Sequence, residues 1–429
     1  MSARLDAAAP ATVKGWCPGA LRPMQTGDGL IVRVRPRTGA LSARQALSLS
    51  EIARRHGNGL IDLTRRANLQ IRGLDESDLP AVWHALSESG LLDVHAEAEA
   101  VRNVMVSPLA GIDAAQLCDV RPIAAALETT LCETPALWAL PGKFGFIADG
   151  GGVLFLDGER ADIRLKAVST PDGTRIAIGI DTTLNTEWLR LLAPDKAHMA
   201  AIELARAFIS LARLSERTRM RNLDPAAVAV LREALAEHGM PCKAVISNAG
   251  QDTRLGVIGA GKPIAVGIGA PFGRITAHDL SRLAEAALHL GVGELRLSPW
   301  RALYAPVTGD AQTMRLLAVA KELGLVIAPG DPLMSIDACP GAPACRSACA
   351  DTRSAARKIA ALMPLDGVAS VHVSGCTKGC ARSQPADLVL VGNPNGFAIV
   401  RDGTAATPQS AVIDAAAFHR LPAILNARV

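Results

Sequence analysis

The chain has 429 residues, of which 49% are hydrophobic and only 3% aromatic, and its formal net charge at pH 7 is +4. So small a charge argues against a nucleic-acid-binding protein, because such proteins concentrate Lys and Arg on one face. The length allows about two to four compact units. No secretory segment follows Met1 and no apolar run reaches the roughly 18 residues of a membrane span, so we expect a cytoplasmic protein without a membrane segment.

The first recognisable elements form a strand–helix–strand unit that recurs later in the chain. The segment from Gly39 to Leu69 matches the segment from Gly273 to Leu303 at a constant offset of 234 residues without a gap. Chance similarity between two Ala-rich helices is the alternative explanation, but the Gly-x-Gly after each helix also coincides. The repeat therefore predicts two pseudo-symmetric halves around a shared cleft. In each copy a strand precedes a helix that begins at a capping hydroxyl and ends at a Gly, and a second strand follows the helix. In the first copy the strands are Gly29 to Arg35 and Leu60 to Leu63, the cap is Ser42 and the terminating residue is Gly57. In the second copy the strands are Ile264 to Gly269 and Glu294 to Leu297, the cap is Thr276 and the terminating residue is Gly291.

Further elements are predicted from hydrophobic periodicity and from the Gly and Pro residues that mark turns between them. Helices are predicted at Gly111 to Glu128, Thr186 to Glu216 and Asp351 to Met363. Strands are predicted at Val153 to Leu156, Asp162 to Leu165, Ile176 to Ile180 and Val368 to Val373, and a hairpin joins Leu388 to Val391 with Phe397 to Val400.

Four cysteines near the C-terminus form the strongest chemical signal. Cys339 and Cys345 have five residues between them, and Cys376 and Cys380 have three. Four thiolates in Gly- and Pro-rich loops suit a [4Fe–4S] cluster. Structural zinc is the competing interpretation, although its cysteine pairs are usually closer in sequence, and buried structural cysteine is the third.

The other cysteines lack such a context. Cys349 is predicted to be a small core residue on a helix, with a substitute cluster ligand as the alternative. Cys17 lies in a Pro-Gly loop, where a structural role competes with a position near an active cleft. Cys118, Cys132 and Cys242 are expected to be packing residues.

Three stretches resemble the nitrite and sulfite reductase family: Leu63 to Gly73 with its Thr-x-Arg-x-x-x-Gln pattern, Arg102 to Val104, and Leu140 to Lys143. The resemblance implies an α+β fold with duplicated ferredoxin-like half-domains and two α/β domains that bind iron–sulfur and tetrapyrrole groups, related by pseudo-twofold symmetry. The implied units are a half-domain at 15–92, an α/β domain at 93–225, a second half-domain at 240–325, and a cluster-bearing α/β domain at 326–429.

The resemblance also implies a site at the junction of the halves. Cys339, Cys345, Cys376 and Cys380 would hold the cluster, with Cys380 in the position that bridges to haem iron. A tetrapyrrole would face Arg66, Gln70, Arg102, Asn103 and Lys143, and its carboxylates would reach the second-rank candidates Arg33, Arg35, Arg72 and Arg301.

One departure matters for function. Gly142 and Gly145 stand where the reductases have further cations for a small anion. The sequence more closely resembles the monooxygenase branch, the precorrin-3B synthase family of aerobic cobalamin biosynthesis. The stretches that carry this likeness are Cys17 to Met24, Gly27 to Pro36, Ala338 to Gly341 and His372 to Ala381.

That resemblance implies dioxygen-dependent hydroxylation of precorrin-3A at C-20 with lactone formation. It implies a [4Fe–4S] cluster, a second iron centre of non-haem or sirohaem type, and an external reductant such as NADH acting through a separate electron-donor protein. No acid or base residue can be assigned, and His372 is predicted to be a hydrogen-bonded group near iron or a surface residue. The alternatives are a sirohaem-dependent nitrite or sulfite reductase, and a non-enzymatic iron–sulfur electron carrier.

Overall fold

The computed structural model describes residues 17–211, 215, 218–242, 245, 253–259, 261–408 and 411–426. Residues 15 and 16 of the predicted first unit lie outside the described residues, as do most of residues 243–252 in the predicted third unit. No helix in the described part of the chain is long and apolar enough to cross a bilayer.

The two copies of the repeat form two five-stranded sheets. The first sheet has the order β1-β2-β5-β4-β14 and the second the order β12-β13-β16-β15-β3. The strands of the first are β1 (Met24–Thr26), β2 (Gly29–Val34), β4 (Leu60–Leu63), β5 (Leu69–Leu74) and β14 (Arg274–Thr276). The strands of the second are β3 (Ala40–Ser42), β12 (Gly256–Ile258), β13 (Ala265–Gly269), β15 (Glu294–Leu297) and β16 (Ala302–Pro306).

The halves exchange one short strand each. Leu41 of β3 pairs with Leu295 in the second sheet, and Ile275 of β14 pairs with Ile61 in the first. These two pairings are related by the same offset that relates the repeats. The exchange ties the halves into one core, which both sheets share with the helices that follow β3 and β14.

Those helices begin as the sequence predicts. α1 (Ala43–Arg55) starts with a capping box from Ser42, and α7 (Ala277–His289) starts with one from Thr276. The left-handed backbone at Gly291 (φ 69°) follows α7 as expected, whereas after α1 it is Gly59 (φ 74°) that adopts this conformation and Gly57 does not. Helices α2 (Leu79–Glu88) and α8 (Asp310–Glu322) complete the helical layer.

Each half continues into an α/β unit with three parallel strands followed by antiparallel ones. The first has the order β11-β10-β9-β8-β7-β6 and the second the order β17-β18-β19-β20-β21. The strands of the first unit are β6 (Val104–Val106), β7 (Phe146–Asp149), β8 (Ile163–Thr170), β9 (Gly173–Asp181), β10 (Thr186–Leu192) and β11 (Met240–Pro241). The strands of the second unit are β17 (Ile336–Ala338), β18 (Val371–Ser374), β19 (Ala386–Asn393), β20 (Gly396–Gly403) and β21 (Ala411–Ile413). The remaining helices are α3 (Ala96–Val101), α4 (Arg121–Glu133), α5 (Ala197–Leu211), α6 (Pro225–Ala234), α9 (Pro332–Ser335), α10 (Thr352–Ala360) and α11 (Leu421–Asn426).

Most predicted elements of these units are confirmed, including the hairpin of β19 and β20, and three predictions are wrong. The predicted helix from Thr186 to Glu216 is a strand, β10, followed after Pro194 by α5. Leu189 and Leu192 have the i, i+3 spacing of a helix, but pairing with β9 decides the conformation.

The other two errors lie around a loop. The helix predicted from Gly111 begins only at Arg121, and Val153 to Leu156 is not a strand. The Asp149 carboxylate accepts hydrogen bonds from the backbone N–H groups of Gly151 and Leu156, at 3.0 and 2.7 Å, and holds this stretch as a loop. The unit boundaries remain predictions, and the β10–β11 pairing joins residues 240 and 241 to the sheet of the first α/β unit.

Candidate active site

The four cysteines of the predicted cluster lie around the carboxyl ends of two parallel strands. Cys339 directly follows β17 and Cys376 comes just after β18. Burial raises the pKa of the Cys380 thiol, and the nearby thiols of Cys339, Cys376 and Cys345 raise it further. The fold therefore brings all four sulfurs into one neighbourhood.

The loops around these thiols fit an iron–sulfur cluster. The backbone N–H of Gly375 donates a hydrogen bond to Cys339 Sγ at 3.2 Å, which is the kind of contact that tunes cluster thiolates. A Cβ at Gly375 would lie 2.5 Å from the Ala348 Cβ, so only glycine allows this approach. Within the described residues, no three His, Cys, Asp or Glu side chains are grouped closely enough to hold a single metal ion.

Two neighbours of the cluster site differ from the four cysteines. Cys349 lies in a bend before α10 and is only partly buried, so its predicted placement in the core on a helix is wrong. It donates its backbone N–H to the Gly375 carbonyl and is not among the thiols that raise the pKa of Cys380. His372 is fully buried, which rules out the surface alternative, and the predicted hydrogen bond is not found, since neither ring nitrogen has a partner among the described residues. Burial lowers the pKa of His372 to about 4, so the ring is neutral beside Gly379 of the cysteine loop.

A polar sheet face lies beside the cluster unit. Alternation along β2 and β5 directs Val32, Val34, Leu69 and Ile71 into the core. The intervening side chains stand on the opposite face, and they are Arg33, Arg35, Gln70 and Arg72. We call this surface the arginine face.

Ion pairs tie the two ends of the arginine face to neighbouring units. Arg35 Nη1 lies 2.7 Å from Glu99 Oε1 of α3, and both side chains are almost fully buried. At the other end Arg72 contacts Asp28 at 2.7 Å and Asp62 at 3.2 Å. Asp62 also pairs with Arg353 of the cluster unit. These arginines position domains, and their charge is compensated within the protein.

The middle of the face is different, because none of its cations forms an ion pair within the described part of the chain. Arg33, Arg66 and Lys143 all lie near enough to the Cys17 thiol to lower its pKa, and the Asp162 carboxylate, which pairs with Arg219, also acts on Arg66. Arg33 is only 8% exposed, and its Nε and Nη1 atoms have no hydrogen-bond partner there. Burial raises the pKa of Cys17, but these three cations outweigh that effect and hold the pKa below its ordinary value.

The predicted tetrapyrrole residues divide into two groups. Arg66 and Lys143 lie at the unpaired cation cluster, and half-buried Gln70 lies opposite Arg33 in the strand register. Arg102 instead donates to Asp93 at 2.6 Å and to the Arg35 carbonyl at 2.8 Å.

Asn103 also makes internal contacts. Its Nδ2 donates to the carbonyls of Phe144 at 3.1 Å and Gly142 at 3.3 Å, on either side of Lys143. Arg102 and Asn103 therefore hold the neighbouring backbone segments of the site in place. Direct contact between either residue and a ligand stays a prediction. Of the second-rank arginines, Arg35, Arg72 and Arg301 are ion-paired and Arg33 is not.

The equivalent positions on the second sheet carry no cations. At the offset of 234, Arg33 corresponds to Gly267, Arg66 to Trp300 and Gln70 to Tyr304. Tyr304 is fully buried and donates its hydroxyl to the Arg254 carbonyl at 2.9 Å. A Cβ at Gly269, which corresponds to Arg35, would lie 2.9 Å from Met334 Sδ. The cations of the first face therefore have no counterparts at the equivalent positions of the second, and comparing the repeats position by position would have revealed this from the sequence.

Gly145 explains the missing cation of the reductase pattern. A Cβ at Gly145 would lie 2.9 Å from Arg66 Nη1, so the Arg66 guanidinium fills the space that a side chain at this position needs. The Gly145 N–H donates to Asp162 Oδ2 at 3.0 Å, and Asp162 pairs with Arg219 at 2.7 Å. Restoring a cation at position 145 would require Arg66 to move.

Comparisons with known proteins agree with this architecture. Residues 22–89 and 259–323 match the model of the nitrite/sulfite reductase ferredoxin-like half domain. The chain is 35% identical to a precorrin-3B synthase of a Sinorhizobium species, over 94% of this chain and 85% of that protein. The chain belongs to the nitrite/sulfite reductase-like family. The precorrin-3B synthase likeness predicted from the cysteine and arginine motifs is confirmed by this relative.

Reductases of the same family are also similar. A ferredoxin–nitrite reductase of Synechococcus elongatus is 30% identical, over 86% of this chain and 77% of its own length. The structure of the Mycobacterium tuberculosis NirA protein superposes with a TM-score of 0.75 at 21% identity, covering 92% of this chain and 80% of that one. The latter likeness confirms the predicted fold, an α+β architecture with a duplicated half-domain.

Proposed function

We propose that the protein is a precorrin-3B synthase, an oxidoreductase that hydroxylates precorrin-3A at C-20 with dioxygen and closes a lactone from a ring A acetate. The observation that carries this proposal is the group formed by Arg33 of the arginine face and the neighbouring Arg66 and Lys143, none of which forms an ion pair in the part of the chain that the structure describes. The relative that shares 35% of its residues over 94% of this chain supports the same reaction.

The charge balance explains why the substrate would bind there. A buried cation without a hydrogen-bonded partner is costly, and each charge-assisted hydrogen bond contributes about 1.5–3 kcal/mol once it forms. A macrocycle fringed with acetates and propionates supplies several carboxylates at once, and Arg receives them in bidentate fashion. Around Trp300 of the second sheet the cations have partners within the protein, since the Arg254 guanidinium lies 4.3 Å from the centre of the Trp300 ring and Arg301 pairs with Asp337, so one macrocycle would bind per chain.

The redox groups would be held next to this face. The thiols of Cys339, Cys345, Cys376 and Cys380 fit a [4Fe–4S] cluster, which supplies single-electron transfer when bound. A second iron centre would serve for dioxygen, and reducing equivalents would come from NADH through a separate electron-donor protein. Arg33, Arg66 and Lys143 would orient the macrocycle so that one meso carbon faces the oxidant, while Asn103 holds the loop of Lys143.

A sirohaem-dependent nitrite or sulfite reductase is the second candidate, and the retained Lys143 together with the 30% identical nitrite reductase favours it. Its weak point is Gly145, where an additional cation would require the Arg66 guanidinium to move. On the present proposal, the face that holds sirohaem in a reductase holds a related macrocycle as substrate.

Anaerobic purification followed by two assays separates the candidates. A synthase should consume precorrin-3A when dioxygen and a reductant are added, and acid–acetone extraction should release no stoichiometric sirohaem. Stoichiometric sirohaem with nitrite or sulfite turnover driven by reduced methyl viologen, and no consumption of precorrin-3A, would establish the reductase instead.

A further inference from the structure

The Asp337 carboxylate joins the strand that leads to Cys339 to three guanidinium groups from different parts of the chain. Its partners are Arg65 Nη2 at 2.5 Å, Arg301 Nη1 at 2.8 Å and Arg382 Nη1 at 3.3 Å. Asp337 stands two residues before Cys339, and Arg382 stands two residues after Cys380. Because two residues span at most about 7 Å from Cα to Cα, this group of charges lies beside the predicted cluster ligands.

Arg301 also contacts the cysteine loop itself. Its Nη2 donates to the carbonyl oxygen of Ala381 at 3.2 Å, and Ala381 directly follows Cys380. The Arg301 side chain is only 13% exposed. One buried guanidinium therefore bridges the end of β17 and the loop that carries Cys380.

The backbone of Arg301 is unusual for a long side chain. Its φ of 58° lies in the left-handed region, which costs free energy for residues other than glycine. A Cβ at Gly273 would lie 2.9 Å from Arg301 Cδ, so glycine there leaves room for the side chain. In the first copy of the repeat the equivalent residues are Ala67, with φ 52°, and Gly39, which has no atom near its missing Cβ. The strain and the room for a side chain are explained if the Arg301 guanidinium has a task at this place.

Positive charge exceeds negative charge around this contact. Asp337 balances one of its three guanidinium partners. Asp62 also attracts Arg301, but it forms ion pairs with three further arginines: Arg72, Arg274 and Arg353. Reduction adds one negative charge to an iron–sulfur cluster, so a surplus of buried positive charge nearby favours the reduced state.

We propose that Arg301 is a positioning residue of the iron–sulfur site. Its guanidinium clamps the end of β17, which leads to Cys339, to the loop of Cys380, and its buried charge raises the reduction potential of the cluster held there. The inference rests on the proposed function only for the presence of the cluster, and it is independent of which macrocycle binds. On reduction the cluster gains one electron from an external donor, and no bond of Arg301 forms or breaks.

Spectroelectrochemical titration of anaerobic, cluster-loaded protein without substrate measures this potential. Arg301→Asn removes the charge, and asparagine tolerates the left-handed backbone of this position. At an effective dielectric constant of about 20, a unit charge roughly 10 Å away changes the equilibrium constant for reduction by about tenfold, or about 59 mV for a one-electron couple. Arg301→Asn should lower the potential by about this amount. Asp337→Asn removes a negative charge from the same place and should raise the potential.

Two control variants separate the charge from its surroundings. Arg301→Lys keeps the charge, so its equilibrium constant for reduction should stay within about threefold of the wild-type value. Arg65→Met removes a half-exposed charge from the same carboxylate, and because solvent screens that charge the shift should be smaller than in Arg301→Asn. A site that is merely loosened would shift Arg301→Asn and Asp337→Asn in the same direction. Shifts of one sign in these two variants, or an unchanged potential in Arg301→Asn, would overturn the proposal.

The clamp is tested by the rate at which a chelator removes iron from the loaded protein. Lysine and asparagine cannot reach the Asp337 carboxylate and the Ala381 carbonyl at once, so both Arg301 variants should lose iron at least about threefold faster than the wild type. This series decides the question even if Asp337→Asn fails to fold. Wild-type rates in both variants would overturn the clamp while leaving the cluster assignment intact. Wild-type protein that assembles no [4Fe–4S] cluster would overturn that part of the proposed function as well.

Discussion

Two adjacent arginines offer a matched test of the arginine face. Arg66 points to the unpaired cluster around Cys17, whereas Arg65 points to the opposite side and pairs with Asp337. Replacing each in turn with Met removes one guanidinium while keeping a long unbranched side chain. Because the two positions share one turn, a general effect on that turn should appear in both variants.

The expected magnitudes differ sharply. Loss of the Arg66 contact to a macrocycle carboxylate should weaken binding by about 1.5–3 kcal/mol, or roughly 10- to 150-fold in the dissociation constant. Arg65 is half exposed, and its partner Asp337 keeps Arg301 at 2.8 Å and Arg382 at 3.3 Å. Arg65→Met should therefore cost at most about 1 kcal/mol of stability and leave binding unchanged.

Anaerobic absorbance titration with precorrin-3A measures both affinities on protein whose iron content has been confirmed. The reasoning is refuted if Arg66→Met binds as tightly as the wild type while its cluster is intact. It is equally refuted if Arg65→Met loses as much affinity as Arg66→Met, since the two sides of the turn would then not be distinct.

Three further predictions concern the cluster and the supports of the site. Serine at any of the four predicted ligands should remove the iron–sulfur absorbance and labile sulfide, whereas Cys349→Ser should retain both; a fully loaded ligand variant would contradict the assignment. Glu99→Gln leaves buried Arg35 without its charge partner and should lower the free energy of unfolding by about 3–5 kcal/mol, measured by denaturant titration against the exposed control Glu97→Gln. An equal effect of both substitutions would show that the pair is unimportant. Tyr304→Phe removes one buried hydrogen bond and should cost about 0.5–1.5 kcal/mol of stability without changing precorrin-3A affinity; a tenfold weaker complex would mean that the second face takes part in binding.

Much of the fold could be predicted because the sequence repeats itself. The offset that aligns Gly39 with Gly273 also aligns the unusual positive φ values of Thr38 with Phe272 and of Ala67 with Arg301. Capping hydroxyls and strand alternation are local signals, and they located the elements of both half-domains. The exchange of β3 and β14 could not be predicted, since three-residue strands take their partner from tertiary packing.

Local pattern also failed where long-range pairing decides the outcome. The leucines of β10 have helical spacing, yet the segment pairs with β9. At Val153 to Leu156 the buried Asp149 carboxylate takes the backbone N–H groups that a strand ladder would use.

The sequence predicted the candidate cations of the site, but only the structure showed which of them are ion-paired. Motif resemblance selected Arg66 and Lys143, which lie at the unpaired cluster, but it also selected Arg102, whose donors are taken by Asp93 and a backbone carbonyl. Arg33 stood among the second-rank candidates, although it is a buried cation with two donor atoms that have no acceptor among the described residues. No sequence pattern distinguishes these arginines, because pairing depends on which carboxylates the fold brings near each one.

The most direct test of the central claim is the fate of labelled oxygen. Cluster-loaded protein is incubated with precorrin-3A, a reductant and ¹⁸O₂, and the product is analysed by mass spectrometry. A precorrin-3B synthase should place one labelled oxygen atom in the product, and the lactone oxygens should come from the substrate's own acetate. Unchanged precorrin-3A, or a product without label while the cluster stays intact, would contradict the proposed function.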